Sequence, residues 1–372
     1  MLPALHEKPG VAPSSEYRGP YAVRNFGDTR AEFAALRAGC GIYDLGSRAK
    51  IVLTGADRMR WLNGMVTNNI RDLEVNRGVY AFLLNPQGRI LGDLYAYNRG
   101  ESILVDTDRS QLEKILATFD HYIIMDDVEV ANRSDQLTVV GLAGPKSREV
   151  LKAAGIQLPE LQRLQAFAIE CAGECGCLEC TVVRGAYDDQ QSYEIWLAPA
   201  HLKPLWDTLL KAGATPVGSD AIELHRIALG IPRYGQDIRE RDLPQETEQA
   251  HALNFTKGCY VGQEIVERIR SRGSVHRKFT GFVLEPEPAL IPPGTTSDAT
   301  KAARTNTKIT SGGKDVGEVT SLASLPTVQG NKTNGNKTVA LGYIRREVSA
   351  SGKEVEIGGV GAVVASLPFT DI

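Results

Sequence analysis

The chain is poor in the features that mark fibrous, membrane-spanning or disulfide-stapled proteins. Neither charge sign dominates: 42 Lys+Arg stand against 45 Asp+Glu, and aromatic residues make up only 6%. A balance of this kind lacks the basic surface from which nucleic-acid coats draw their affinity, so direct nucleic-acid binding is not expected. No apolar run approaches the roughly 20 residues that a spanning helix needs. The N-terminal stretch is broken by prolines and carries Glu7 and Glu16, so neither a signal peptide nor a membrane anchor is expected. Six cysteines in 372 residues are too few for a disulfide framework, and four of them (Cys171, Cys175, Cys177, Cys180) crowd into ten residues. The compartment this implies is a reducing cytoplasm. A Gly-rich phosphate loop and HExxH are both absent, and the six histidines are scattered.

What is present is an ordinary globular mix, 42% hydrophobic and 23% charged. At roughly 100 to 200 residues per domain it predicts two or three domains. Residues 1–20 read as a loosely held arm, rich in Pro, Ser and charge. Residues 28–39 place Phe33 and Leu36 at helical spacing, with Asp28 and Thr29 as caps and Gly39 as the stop. The strand KIVLT and a helix carrying Met59, Trp61 and Leu62 follow, with those three read as core. VYAFLLN and ILGDLYAYN then form a hairpin around Pro86-Gln87-Gly88. SILVDT, a helix near 109–119, YIIM, VEVAN and LTVVGLAG mix strands and helices without strict alternation, which is an α+β pattern. A helix opened by Gly144-Pro145, a hairpin over 166–185, the strand YEIWLAP and helices over 200–212 and 219–229 come next. From about Lys278 the chain turns to short strands broken by Gly and Pro, the pattern of a small all-β barrel or sandwich. Within it, 291–309 and 328–338 read as exposed hairpin loops. Nine basic and nine acidic side chains over 281–372 give that region no nucleic-acid face.

The densest chemistry lies in NFTKGCYVGQEIVERIRSRGSVHRK, residues 254–278. Gln263 onward fits a short helix entered at Gly262, which places Cys259 in a loop before a helix N-terminus and two residues after Lys257. A helix dipole and a neighbouring cation both favour a thiolate; the alternative is a small hydrophobe packed beneath Tyr260 and Val261. Five Lys or Arg and no acid over 268–278 suit a local anion site or a solvated basic face. The cluster CAGECGCLEC could in principle close a tetrahedral metal site. Its spacing departs from paired knuckles, so no metal is expected there, and the simpler reading is a hairpin with redox-sensitive thiols.

KGCYVGQE resembles the signature of the YgfZ family, folate-binding relatives of the glycine-cleavage T-protein, an aminomethyltransferase. Further blocks are similar to that superfamily: AALRAGCGIYDLGSRAKIVLTGAD, WLNGMVTNNI, LLNPQGRILGDLYAY with Gly88 and Asp93, Arg184 ten residues ahead of Glu194, LGIPRYGQDI, and ALGYIRRE with GKEVEI. The chain departs from the pattern at Gly92-Asp93, where T-proteins often carry an acidic pair. It departs again in AYDDQQS, which keeps Asp188 and Asp189 but not the glycines.

The resemblance implies two ferredoxin-like α+β modules over 21–277, open to interleaving in sequence, then a C-terminal β-barrel over 278–372. Folate would lie in the central cavity. The implied function is a tetrahydrofolate-binding accessory protein for iron–sulfur cluster assembly or maintenance, with tRNA-modifying enzymes among its candidate clients. Its partners would be iron–sulfur proteins or their assembly machinery. The alternative is a tetrahydrofolate-dependent aminomethyltransferase. Glu194 would accept the pterin's amidine-like edge, and Asp93 would position a folate nitrogen or its one-carbon group. Arg184, Arg226 or Arg233 would pair with the folate tail, with Tyr234 nearby. Cys259 would be the reactive thiol, assisted by Lys257, and Asp93 the residue of the transfer chemistry. Read without the resemblance, Glu194 is an exposed strand glutamate and Asp93 a surface carboxylate beside a turn.

Overall fold

A computed structural model of the chain describes residues 23–173, 176–186, 191–273, 275–285, 307–329 and 332–369. The expected N-terminal arm, Asp188, Asp189 and most of the 291–309 segment lie outside the described residues. So do the side chains of Cys171, Cys175 and Cys177.

Three sheets organise the fold. One has six strands in the spatial order Thr215–Pro216, Gly41–Asp44, Thr138–Ala143, Ser192–Leu197, Gly176–Arg184, Ala166–Gly173. The second has five, in the order Gly78–Leu84, Ile90–Asn98, Ile103–Asp108, Arg48–Thr54, Glu129–Asn132. The third is a closed barrel of Arg277–Leu284, Lys332–Arg345, Lys314–Gln329, Lys308–Ser311, Glu354–Ile357 and Val360–Ala365. The chain lays down Gly41–Asp44 in the first sheet, builds the whole second sheet, and returns at Thr138. The two α+β modules are therefore interleaved.

Strand alternation gives each sheet two unlike faces. On the five-stranded sheet Ala49, Ile51, Leu53, Ala81, Leu83, Leu94, Ala96, Ile103 and Val105 point one way. They bury against the helices Arg58–Met65 and Leu112–Tyr122 through Trp61, Leu62, Met65, Ile115 and Phe119. On the six-stranded sheet Ile42, Val140, Leu142, Val182, Tyr193 and Ile195 pack under the helices Ser147–Ala153 and Leu202–Lys211. With both helical layers on the outside, the remaining faces turn toward each other. The cluster Tyr97, Leu104, Val139, Val183 and Trp196 joins them.

The first helix runs Thr29–Ala38 as its pattern predicts, with Asp28 accepting a hydrogen bond from the Arg30 amide and Gly39 closing it. Three expectations fail. YIIM is not a strand: Ile124 and Met125 are 81% and 94% exposed, because the chain leaves helix Leu112–Tyr122 at the rim of the sheet instead of pairing. The polar run 328–338 is a hairpin, as read, but a paired one and not an open loop, with Val328 opposite Thr333 and Leu325 opposite Lys337; backbone pairing overrides its loop-like composition. Lys308–Ser311 adds a barrel strand that the sequence reading placed at the end of a loop. No helix among the described residues is long and apolar enough to cross a membrane.

Candidate functional site

The inward face of the five-stranded sheet carries Arg48 and Lys50 on one strand, Tyr80 and Phe82 on another, Asp93, Tyr95 and Tyr97 on a third and Asp106 on a fourth. This arrangement follows from their spacing by two. Cross-strand register places Tyr80 opposite Tyr95, Tyr95 opposite Asp106, and Asp106 opposite Lys50, a polar row across four strands. Tyr80 and Tyr95 pack with ring centres 4.9 Å apart and planes tilted by 43°, so the row has an aromatic end and a charged end.

Asp93 sits half-buried at the aromatic end. Tyr80 donates its hydroxyl to Asp93 Oδ2 at 2.7 Å, and the Gln111 amide donates to Oδ1 at 2.7 Å. Gln111 also accepts the Asp93 backbone N–H at 2.9 Å, which fixes the carboxylate at both ends. Burial pushes the Asp93 carboxyl above its ordinary value, and the bonds from Gln111 and Tyr80 and the charge of Arg48 oppose the rise without cancelling it. Gly92 points to the opposite face, where an added Cβ would stand 2.9 Å from Gln111 Oε1. A carboxylate at position 92 would therefore point away from this face, and the single acid at 93 is what the face receives.

Glu194 reaches the same space from the six-stranded sheet. The Trp196 indole donates to Glu194 Oε2 at 3.0 Å. Directly opposite Glu194 in register is Gly141, and any side chain there would run into the Tyr43 ring, 2.2 Å from the ideal Cβ. The missing side chain lets Tyr43 lie beside the glutamate strand. Arg48 holds Asp106 in a two-pronged pair at 3.1 and 2.9 Å, and Lys50 Nζ lies 2.8 Å from Asp106 Oδ1. Lys50 also stands over the Trp196 ring at 4.2 Å, and Trp196 meets Tyr97 edge-on at 4.8 Å. Sequence reasoning missed Arg48, Lys50, Asp106, Gln111, Tyr80 and Trp196. Only Trp196, two residues after Glu194 on the same strand, carries a local signal; the others reach the site through register between distant strands and, for Gln111, from the turn before helix Leu112–Tyr122.

The loop Lys257–Gly262 leads into helix Gln263–Arg272 as expected, and Cys259 is exposed on it. Gly262 adopts φ 81° and abuts the Asp93 hairpin: an added Cβ would meet Asn85 O at 2.5 Å, and one on Gly88 would meet Ile265 at 2.7 Å. Tyr260 is buried with Phe82, Leu84 and Ile90. The expected partnership of Lys257 with Cys259 is corrected. Lys257 is buried, and its ammonium donates to the carbonyls of Asn63 and Val66 at the end of helix Arg58–Met65, because those unsatisfied helical carbonyls are the nearest strong acceptors. Burial pulls its pKa down to about 7.

The candidate tail-binding arginines fare differently from one another. Arg226 pairs with Glu223 at 2.7 Å and with Asp237 at 2.7 Å, and reaches Ser321 on the barrel, so its fork is spent within a buried junction. Arg233 pairs with the same Glu223 at 2.9 Å. Arg184 donates to Ser192 O at 3.0 Å and stacks on Tyr193. Tyr234 donates to Leu91 O at 2.5 Å and lies beside Lys114, two residues from Asp93 along the hairpin strand. Cys180 is buried. No cluster of three metal-ligating side chains occurs among the described residues.

A cavity of about 410 Å³ opens where the loop Leu229–Pro232, the start of the barrel and residues 364–368 meet. Arg163, Lys278 and His251 line it together with Glu248, and Glu248 is already paired with Arg346 at 2.8 Å. His251 also lies against Tyr80 at 5.5 Å, which links the cavity wall to the hydroxyl that holds Asp93.

Comparison with known proteins matches residues 10–257 to the family described as the GCVT N-terminal domain. An aminomethyltransferase of Rubrobacter xylanophilus is 29% identical over 345 residues, covering 91% of this chain and 86% of that protein. An aminomethyltransferase of Thermus thermophilus is 28% identical over 346 residues, covering 92% and 90%. Among solved structures, the glycine cleavage system aminomethyltransferase T from Bartonella henselae superposes with a TM-score of 0.82 at 22% identity. That match covers 99% of this chain and 96% of that one, a likeness of fold.

Proposed function

From the premise that the chain belongs to the GCVT N-terminal domain family, we propose that it binds tetrahydrofolate between its two sheets and acts as a one-carbon transferase of the aminomethyltransferase kind. The observation that carries this reading is Asp93: a single half-buried carboxylate, raised by burial, clamped by Tyr80 and Gln111, and facing across the intersheet space from the face that bears Glu194. The residues present fit a folate. A pterin offers an exocyclic amine beside a ring N–H, and Glu194 has one oxygen engaged by Trp196 while no bond among the described residues takes the other. Tyr80 and Tyr95 supply an aromatic wall, and Arg163 and Lys278 supply cations for an acidic tail. Tetrahydrofolate, when bound, contributes the nitrogen that accepts the one-carbon unit. Asp93, with its raised affinity for a proton, is suited to hold or pass a proton at that nitrogen.

The test is a titration with tetrahydrofolate under reducing conditions, followed by a turnover assay with an aminomethyl donor. Binding in the micromolar range, with turnover lost in Asp93→Asn, supports the reading. Absence of binding at millimolar ligand defeats it.

A second reading has one specific observation behind it, the exposure of Cys259 on a loop that Gly262 seats against the Asp93 hairpin. In that reading the protein serves iron–sulfur proteins or their assembly machinery, as a YgfZ-type factor, with folate as its ligand. Cys259→Ser should then leave tetrahydrofolate binding intact and lower iron–sulfur enzyme activity in cells. An unaffected cell excludes this role.

A further inference from the structure

Lys50 is an unusual residue to find at the middle of a sheet. Its side chain is 0% exposed, and Asp106 beside it is 1% exposed. Asp106 already receives two N–H groups from Arg48, so two cations share one buried carboxylate in contact. Lys50 Nζ lies 2.8 Å from the same Oδ1 that Arg48 Nε approaches at 3.1 Å, so the two cations share one oxygen. Two buried cations on one carboxylate cost stability unless a second negative group balances them. That group is Glu194 on the facing sheet, whose charge acts on both Arg48 and Lys50.

Between Lys50 and Glu194 stands Trp196. The ammonium sits 4.2 Å from the centre of its ring, and the indole N–H points at Glu194 Oε2 at 3.0 Å. A cation over the face of an indole holds the ring in place and draws density from it, which strengthens the N–H as a donor. The chain of contacts therefore runs Asp106, Lys50, Trp196, Glu194, from one sheet to the other, and ends on a carboxylate whose second oxygen stays available.

Resting on the folate reading above, we propose that Lys50 is a positioning residue for Glu194: through the Trp196 ring it fixes the orientation in which that carboxylate meets the pterin edge. It does not touch the ligand itself, because its ammonium is sealed from solvent.

The test uses the full-length protein and tetrahydrofolate as the probe, with Lys50→Met, Glu194→Gln and the double variant. Lys50→Met removes the cation while Arg48 still pairs Asp106. We expect it to weaken tetrahydrofolate roughly tenfold, with the double variant no weaker than Glu194→Gln alone. The ligand-free readout is the Trp196 indole N–H resonance, which should shift in Lys50→Met and return toward its wild-type position in Lys50→Arg, since a guanidinium can stack on the same ring. If Lys50→Met does not fold, Lys50→Gln carries the same comparison. An unmoved indole resonance, unchanged affinity, or additive losses in the double variant would overturn the assignment and leave Lys50 as a clamp between sheets. If the wild-type protein fails to bind tetrahydrofolate, the folate reading falls, and the indole resonance still decides whether Lys50 sets the geometry of Glu194.

Discussion

Tyr80 gives its hydroxyl hydrogen to Asp93 across 2.7 Å while its ring lies against His251 on the wall of the neighbouring cavity. One phenol thus holds the carboxylate of the proposed transfer chemistry and borders the space in which the ligand's tail would lie. The bond favours the ionised form of Asp93, so removing it moves the carboxyl further in the direction that burial already pushes it. Tyr80→Phe should raise the Asp93 pKa further, because the lost hydrogen bond favoured the ionised form. The acid limb of turnover should move to higher pH with the fold intact. An acid limb that stays in place would mean that Asp93 is not the group being titrated.

Gln111 makes the companion case. Its side chain both donates to Asp93 and accepts from the Asp93 amide, so Gln111→Leu removes two bonds at once. We expect a loss of about 2 kcal/mol in stability, together with a rise in the Asp93 pKa in the same direction as Tyr80→Phe. Chemical denaturation and the pH profile measured on the same samples separate the two effects. A stability loss with no movement of the profile would confine Gln111 to a structural role.

The outline of this fold was legible because strand and helix periods are local properties. The Thr29–Ala38 helix with its Asp28 cap, the hairpin around Pro86-Gln87-Gly88 and every barrel strand but Lys308–Ser311 follow from spacing within a dozen residues. Of the proposed site, the sequence names only the two carboxylates Asp93 and Glu194, and those through family resemblance. Arg48, Lys50 and Asp106 come together through register between strands about 56 residues apart, which no local pattern encodes. Lys257 was misread for a related reason. Adjacency to Cys259 suggested a shared field, but a long side chain in a loop goes where unsatisfied acceptors are, here the last carbonyls of a helix nearly two hundred residues earlier in the sequence. Arg226 likewise looked like a surface cation free for a ligand. It is buried in a helix–barrel junction by Glu223 and Asp237.

Glu194→Gln exchanges one acceptor oxygen for an N–H, which would face donors both at Trp196 and on a bound pterin. An unpaired polar group in a closed site costs about 2 to 3 kcal/mol, or 30- to 150-fold in affinity for tetrahydrofolate. Some stability should be lost as well, because Glu194 also balances the buried cations Arg48 and Lys50, so affinity is read on the folded variant. Calorimetry that returns wild-type affinity for a folded Glu194→Gln would remove this residue from the site.

Lys257 makes a prediction in pH. Its folded pKa, about 7, lies below the 10.5 of the exposed side chain, with burial as the cause. Between those values the unfolded chain holds a proton that the folded protein does not, so stability gains from rising pH across that window. Relative to Lys257→Met, the wild-type protein should become more stable by about 1.4 kcal/mol per pH unit from pH 7 upward, until the unfolded group titrates. A difference that stays flat between pH 7.5 and about 9.5 would show that the ammonium keeps its proton on the carbonyls of Asn63 and Val66.

The mirror case lies at the acid end. His225 is buried in helix Ser219–Ala228 with its ring edge-on to Phe33, and its Nδ1 has no hydrogen-bond partner among the described residues. Burial, with a smaller contribution from Arg37, lowers its pKa from 6.5 to about 3. As pH falls through that interval the unfolded chain takes up a proton that the folded protein refuses, so stability drops by about 1.4 kcal/mol per unit. The strain falls on the helix that packs against Thr29–Ala38 and the barrel, and the junction built by Arg226 and Asp237 should open with it. His225→Leu fills the same apolar space without a titrating group. The acid-unfolding midpoint should therefore move to lower pH, and the stability difference between the variant and wild type should grow steadily below pH 6. Parallel acid-unfolding curves for the two proteins would show that His225 takes its proton in the folded state, and would shift the acid sensitivity of the junction to its carboxylates.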